Sequence, residues 1–202
     1  KIQSLLFPEM QGLQLPHPIS SQMSTMRVSL WTGLLQAVSY NQKRQQGRVR
    51  LFESGLRFIP DNTEKAGVTQ ELVISGVVCG LVADENWDNS SQAIDFFDVK
   101  TDVENLLNCA GVEGYRFKSS NHSALHPGQC AEILLGDTSL GYIGAVHPQF
   151  EKNLGLNGKS FVFELEISAL GLKNLPKSQE ISKFPANRRD IAIVVDDDKV
   201  VG

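Results

Sequence analysis

"SLWTGLLQAVSYNQKRQQGRVRLFESGLRFI", residues 29–59, decides how this chain is read. Its first half has the spacing of an α-helix, and its second half is rich in Val, Leu, Phe and Ile, as strands are. Leu30, Trp31, Leu34, Leu35, Ala37 and Val38 sweep an arc of roughly 160° around the helix, wider than a one-sided surface helix uses. Ser29 is placed to cap the helix at its start. Lys43 and Arg44 stand in the last turn, where cations suit the dipole, and Gly47 follows the end. A helix this apolar must be covered on more than one side.

The chain has 202 residues, 41% of them hydrophobic, enough for the core of one large domain or of a domain plus a fragment. Lys and Arg number 19 against 23 Asp and Glu, a formal charge of −4. That balance argues against a phosphate-binding surface spread over the whole molecule. Cys79, Cys109 and Cys130 are odd in number and show no CxxC spacing. They read as buried free thiols in a reducing compartment. The longest apolar run, "LVISGVVCGLVA" (Leu72–Ala83), is too short for a bilayer and holds two glycines. It reads as a strand buried on both faces. No signal peptide opens the sequence, which starts at Lys1 and stops at "DDDKVVG" soon after a strand has begun. A piece of a longer protein is the expectation.

Around the opening stretch, "KIQSLLFPEMQGLQLP" reads as an irregular lead-in with a short strand, and "HPISSQMSTMRV" as a loop or short helical turn. "DNTEKAG" turns the chain into a second strand, Glu71–Ala83. In "FFDVKTDVENLLNCAG" a T-x-x-E capping box, Thr101 to Glu104, starts a helix whose apolar face is Val103, Leu106, Leu107 and Ala110, ended by Gly111. "CAEILLGDTSLGYIGAVH" is a hairpin around Gly-Asp-Thr-Ser, and "PQFEKNLGL" is a short helix with Pro148 first. "SFVFELEI" is a strand with Phe161, Phe163 and Leu165 on one side. A polar linker follows, with a boundary near Gln179–Ser182, and "DIAIVVD" alternates as a new strand. Strands following one another without crossover helices predict antiparallel pairing and an α+β fold.

Catalytic signals are thin. His122, His126 and Cys130 are spaced by four, as zinc ligands on a helix face are, but Pro127 and Gly128 break that helix and no second ligand pair lies nearby. A metal-dependent hydrolase built on His122 and His126 is therefore not the reading, and no metal site is expected. His126-Pro127 and His147-Pro148 read as loop corners with the imidazoles capping backbone carbonyls. Asp95, Asp98, Asp102 and Glu104 cluster, but a helix start favours acidic residues for structural reasons. No GxxxxGK[ST], GxSxG or HExxH occurs, and Arg188-Arg189 is too small a patch to bind nucleic acid. Arg27, between Met26 and the apolar helix, either pairs with a carboxylate or snorkels past the helix start.

Six blocks carry a resemblance: "HPISSQMSTMRVSLWTGLLQAVSYNQKRQ", "RLFESGLRF", "DFFDVKTDVENLL", "HPGQCAEILL", "GYIGAVHPQF" and "SKFPANRRDIAIVVD". In order and spacing, over nearly the whole chain, the sequence resembles the C-terminal part of the β subunit of bacterial phenylalanine–tRNA synthetases. His17-Pro18 stands where that family usually has Asn-Pro, and Thr32 where it often has proline.

The resemblance implies that residues 1–181 form a domain shaped like a class II aminoacyl-tRNA synthetase core, an antiparallel sheet flanked by helices. It implies that 182–202 hold the first strand of a truncated ferredoxin-like anticodon-binding domain. It further implies a cytoplasmic α2β2 ligase that attaches phenylalanine to its tRNA with ATP and Mg2+, the α subunit doing the chemistry. This fragment would then be non-catalytic and bind no cofactor itself. A working class II site needs two arginines, one for each end of the triphosphate. Arg50 is the candidate for the first, in a degenerate nucleotide site, and the second has no counterpart. The helix would be the family's interface motif, with Met26, Arg27, Leu30, Trp31, Leu34 and Leu35 against the α subunit; the alternative is that its whole arc is intramolecular core. Such a helix, uncovered, would also let an isolated fragment self-associate. The rival reading is a free-standing ATP-dependent ligase on the same fold.

Overall fold

The computed structural model describes residues 2–84, 86–88, 91–168 and 187–194. A short helix, α1 (Ile2–Leu6), precedes a 3-10 turn at Ser21–Met23, and then comes α2 (Trp31–Gln42). The lead-in thus starts as a helix, and its expected strand is reduced to a single bridge between Gln14 and Thr25. Strands β1 (Val49–Pro60) and β2 (Val68–Cys79) follow, then α3 (Phe96–Cys109), β3 (Tyr115–Ser119), β4 (Leu125–Leu135), β5 (Thr138–Val146), α4 (Pro148–Leu154) and β6 (Ser160–Glu166).

The six strands form one sheet in the order β1-β2-β6-β5-β4-β3, and every pairing is antiparallel. β2 stops at Cys79, short of the expected Ala83, because Gly80 takes φ 95°, a left-handed conformation that ends the extended run. The β4–β5 hairpin turns through Gly136 and Asp137, with Gly136 at φ 61° as a two-residue turn requires.

Alternation along each strand sends side chains to two cores. On one face Val49, Val73, Val77 and Val162 pack under α2 with Leu6 and Phe7. On the other, Val78, Ile133, Ile143, Phe161, Phe163 and Leu165 pack under Val99, Val103 and Leu107 of α3. Phe161, Phe163 and Leu165 do share a side.

α3 starts earlier than the T-x-x-E pattern implies. Asp95 is the N-cap, its Oδ1 accepting from the N–H of Phe97 and Asp98, while Asp98 Oδ2 accepts from Asp95 N–H. Thr101 instead lies inside the helix, its hydroxyl donating to Phe97 O, and Glu104 pairs with Lys100. Asp95/Asp98 and Thr101/Glu104 are equivalent local signals. The first wins because starting there places Val99, Val103 and Leu107 on one buried stripe.

The boundary near Gln179–Ser182 lies outside the described residues. Within 187–194, Ile191, Ile193 and Val194 are exposed and the segment pairs with no strand, so the described part of "DIAIVVD" is not strand here. A strand with one apolar side forms when another element covers that side, and among the described residues none does.

Candidate functional site

α2 answers for its width within the chain itself. Leu30, Trp31, Leu34, Leu35 and Val38 are all buried. The sheet covers one flank, while Phe7 stacks on Trp31 with ring centroids 5.9 Å apart and α1 and α4 close the sides. The Trp31 indole N–H donates to Phe163 O at 3.1 Å, and the Ser39 hydroxyl donates to Leu154 O. The interface assignment is therefore corrected for Leu30, Trp31, Leu34 and Leu35: their own chain has already removed them from water. Of the expected set, Met26 is partly exposed, and so is Arg27, which bonds Glu53 and donates from Nε to Leu56 O at 2.8 Å. Arg27 is paired rather than snorkelling.

A cavity of about 360 Å³ opens on the α2 side of the sheet. Phe7, Trp31, His122 and Tyr142 supply its aromatic wall, and Arg57, Glu71, Glu164 and Glu166 its charge. Arg57 is clamped between two carboxylates: Nε donates to Glu71 Oε2 at 2.7 Å and Nη1 to Glu164 Oε1 at 2.9 Å. Burial opposes the charge on Arg57, yet Glu164 and Glu71 outweigh it and raise the guanidinium pKa further. Glu164, only 5% exposed, turns its other oxygen to α2, where Oε2 accepts from the Leu30 N–H at 2.8 Å and the Ser29 hydroxyl at 3.0 Å. Burial pushes the Glu164 carboxyl above its usual value, while Arg57, the Leu30 N–H and the Ser29 hydroxyl pull the other way. Ser29 is thus not the N-cap residue, which is Leu30, but its Oγ accepts from Trp31 N–H and links Glu164 to the helix start. The charged lining of the cavity is thus three carboxylates and one guanidinium, and that guanidinium is already bound twice.

Arg50 does not belong to it. Residues 50 and 57 are an odd number of positions apart on one unbroken strand register, so they project to opposite faces. Arg50 crosses the α3 face to pair with Asp102. Arg57 is the arginine that meets the cavity, and its shared parity with the buried Val49 was the available signal.

Three of the four histidines share one behaviour. His122, His126 and His147 each use Nδ1 to accept the backbone N–H two residues on, from Ala124, Gly128 and Gln149. The corner imidazoles therefore accept from amides and do not cap carbonyls, and His147 is the N-cap of α4. Burial among Phe7, Trp31 and Tyr142 lowers the His122 pKa to about 4. Among the described residues no His, Cys, Asp and Glu group is arranged to hold a metal. Cys79 and Cys130 are buried, whereas Cys109 is exposed, contrary to expectation, because it falls on the solvent side of α3's last turn.

The fold is that of the class II aminoacyl-tRNA synthetases. A pyrrolysyl-tRNA synthetase from Desulfitobacterium hafniense superposes with a TM-score of 0.58 at 13% identity, over 84% of this chain and 55% of that one. Residues 2–167 match the family described as "Phenylalanyl tRNA synthetase beta chain CLM domain", and the chain belongs to that family. It is 54% identical, over 100% of its length, to the phenylalanine–tRNA ligase β subunit of Shewanella oneidensis. Over 98% and 96% of its length it is 52% and 53% identical to those of Colwellia psychrerythraea and Yersinia pestis. The chain spans about a quarter of the length of these relatives, 26%, 25% and 25%.

Proposed function

We propose that this chain is a non-catalytic structural module of a phenylalanine–tRNA ligase β subunit. It supports an α subunit that attaches phenylalanine to its tRNA with ATP and Mg2+, in a cytoplasmic heterotetramer. The observation that carries this reading is the state of the cavity. Arg57, its one cation, is spent on Glu71 and Glu164, so no guanidinium is left to neutralise a developing phosphate charge. Arg50, held by Asp102 on the other face, does not supply one. ATP and Mg2+ belong in this reading to the holoenzyme. No described helix is long and apolar enough to cross a membrane.

The apolar arc of α2 is buried and its exposed residues are Gly33, Gln36 and Tyr40, so a broader apolar surface for the α subunit lies elsewhere. The β1–β2 hairpin offers one on its α3-side face, where Phe52 is 77% exposed and the cross-strand pair Leu56 and Leu72 is 38% and 43% exposed. α3 packs over β5 and β6 and leaves this margin bare, and Arg27 lies at the edge of β1 beside Leu56. Phe52→Asp in the full-length β subunit is expected to weaken co-elution with the α subunit at least tenfold while leaving the melting temperature nearly unchanged. Unaltered co-elution would move the contact elsewhere. Phenylalanine-dependent ATP–pyrophosphate exchange by the β subunit alone is expected to be absent, and its presence would sink the non-catalytic reading.

A further inference from the structure

Three donors of different origin converge on one buried carboxylate. Arg57 Nη1 reaches Glu164 Oε1 at 2.9 Å, and the Leu30 N–H and Ser29 hydroxyl reach Oε2 at 2.8 and 3.0 Å. The Leu30 N–H opens the 12-residue helix α2, whose dipole favours an anion there. A guanidinium, a hydroxyl and a helix amide around two oxygens are what a protein uses to seat a carboxylate ligand. Here the ligand is a side chain of the protein. The seat also forms part of the cavity wall, because Ser29, Arg57 and Glu164 all line the open space. Small solutes therefore have a path to it.

We propose that Glu164 is a plug in a carboxylate-binding seat, and that withdrawing it leaves a site for a small exogenous carboxylate. Glu164→Ala removes one methylene and the carboxylate, a void with the shape of acetate. Neither neighbouring carboxylate blocks it: Glu71 stays on Arg57 Nε, and Glu166 accepts from the Ser168 hydroxyl. The plug thus does two things. It starts α2 from a strand 134 residues away in sequence, and it closes the sheet face to anions. The proposal does not depend on where an α subunit docks or on whether exchange chemistry is absent, so its failure and theirs are separable.

The test uses full-length β subunit and amide hydrogen exchange of the peptide containing Leu30. In Glu164→Ala, Leu30 exchange is expected to quicken about tenfold or more, since its charge-assisted bond is gone. Sodium acetate should slow it again in a saturable way, and sodium chloride at equal ionic strength should not. The parent should ignore acetate, and Glu164→Ala with Arg57→Met should lose the response. Glu164→Gln, which fills the seat with a neutral amide, should exchange faster than the parent yet be deaf to acetate. If acetate protects Glu164→Ala no better than chloride does, the plug is refuted. Should Glu164→Ala be obtained only as unfolded protein, Glu164→Gln decides: parental protection of Leu30 in that variant shows that the seat has no preference for an anion and overturns the proposal.

Discussion

α2 and α3 lie on opposite faces of one sheet and begin in opposite ways. α3 is started by its own sequence, Asp95 and Asp98 exchanging bonds with each other's backbone within four residues. α2 has no such device. Leu30 occupies the capping position, and the carboxylate that satisfies its N–H belongs to β6. The difference extends to the surroundings. The α3 face is an apolar layer crossed by the Arg50–Asp102 pair, while the α2 face includes a cavity and a chain of charges from Glu71 through Arg57 to Glu164. A locally capped helix can form before its sheet exists. A helix capped from a distant strand is completed only when that strand is in place, so the start of α2 depends on β6.

The comparison can be broken most forcefully at Trp31. Trp31→Ala removes a buried indole, its stacking on Phe7 and its bond to Phe163 O, and is expected to cost about 3–5 kcal/mol in urea unfolding. A loss below about 1 kcal/mol, with α-subunit binding abolished, would return Trp31 to an interface role.

The next effect is acid sensitivity on the α2 face. The His122 pKa is lowered from 6.5 to about 4, so its neutral form stabilises the fold fully above pH 6.5. That stability falls as pH drops through 6.5 toward 4 and levels off below, a loss of about 3 kcal/mol. Glu164, with its pKa raised, acts in the reverse sense: its protonation in acid relieves a buried charge. The clean readout is accordingly the stability difference between the parent and His122→Gln, in which Glu164 titrates on both sides. That difference should shrink between pH 6.5 and 4, and a flat one would mean that His122 accepts a proton in place.

The smallest effect sharpens the contrast from the α3 side. Asp95→Ala removes a local cap and is expected to cost about 1 kcal/mol, with faster amide exchange confined to the first turn of α3. Protection of Leu30 should not change, because the two helix starts share no residue.

Much of the fold was legible because its signals are short-ranged. The strand at Arg48–Ile59 appears as Val49–Pro60, the Gly-Asp turn joins β4 to β5, and Pro148 opens α4. The T-x-x-E reading failed by one turn and a half because two equivalent caps stood six residues apart, and only the packing of Val99 chose between them. Arg50 is the candidate by its place in the resemblance, and Arg57, on the same strand, carries no local motif that sets it apart. Parity separates their faces, and the parity that Arg57 shares with Val49 was the one signal available for the cavity side. Glu164 passed as one more acidic residue in "FVFELEI", although a charge at an inward position of a buried strand is a recognisable sign of a partner.

By itself the sequence determined an antiparallel α+β chain, the place of most of its elements and the family blocks they carry. Periodicity, caps and turns act over a few residues and need no knowledge of the rest. The tertiary structure alone decided that the apolar arc of α2 is buried by its own chain, that Arg57 and not Arg50 meets the cavity, and that Glu164 lines it. Each of those depends on which distant side chain comes within about 3 Å, and bonds spanning more than a hundred residues leave no local pattern to read.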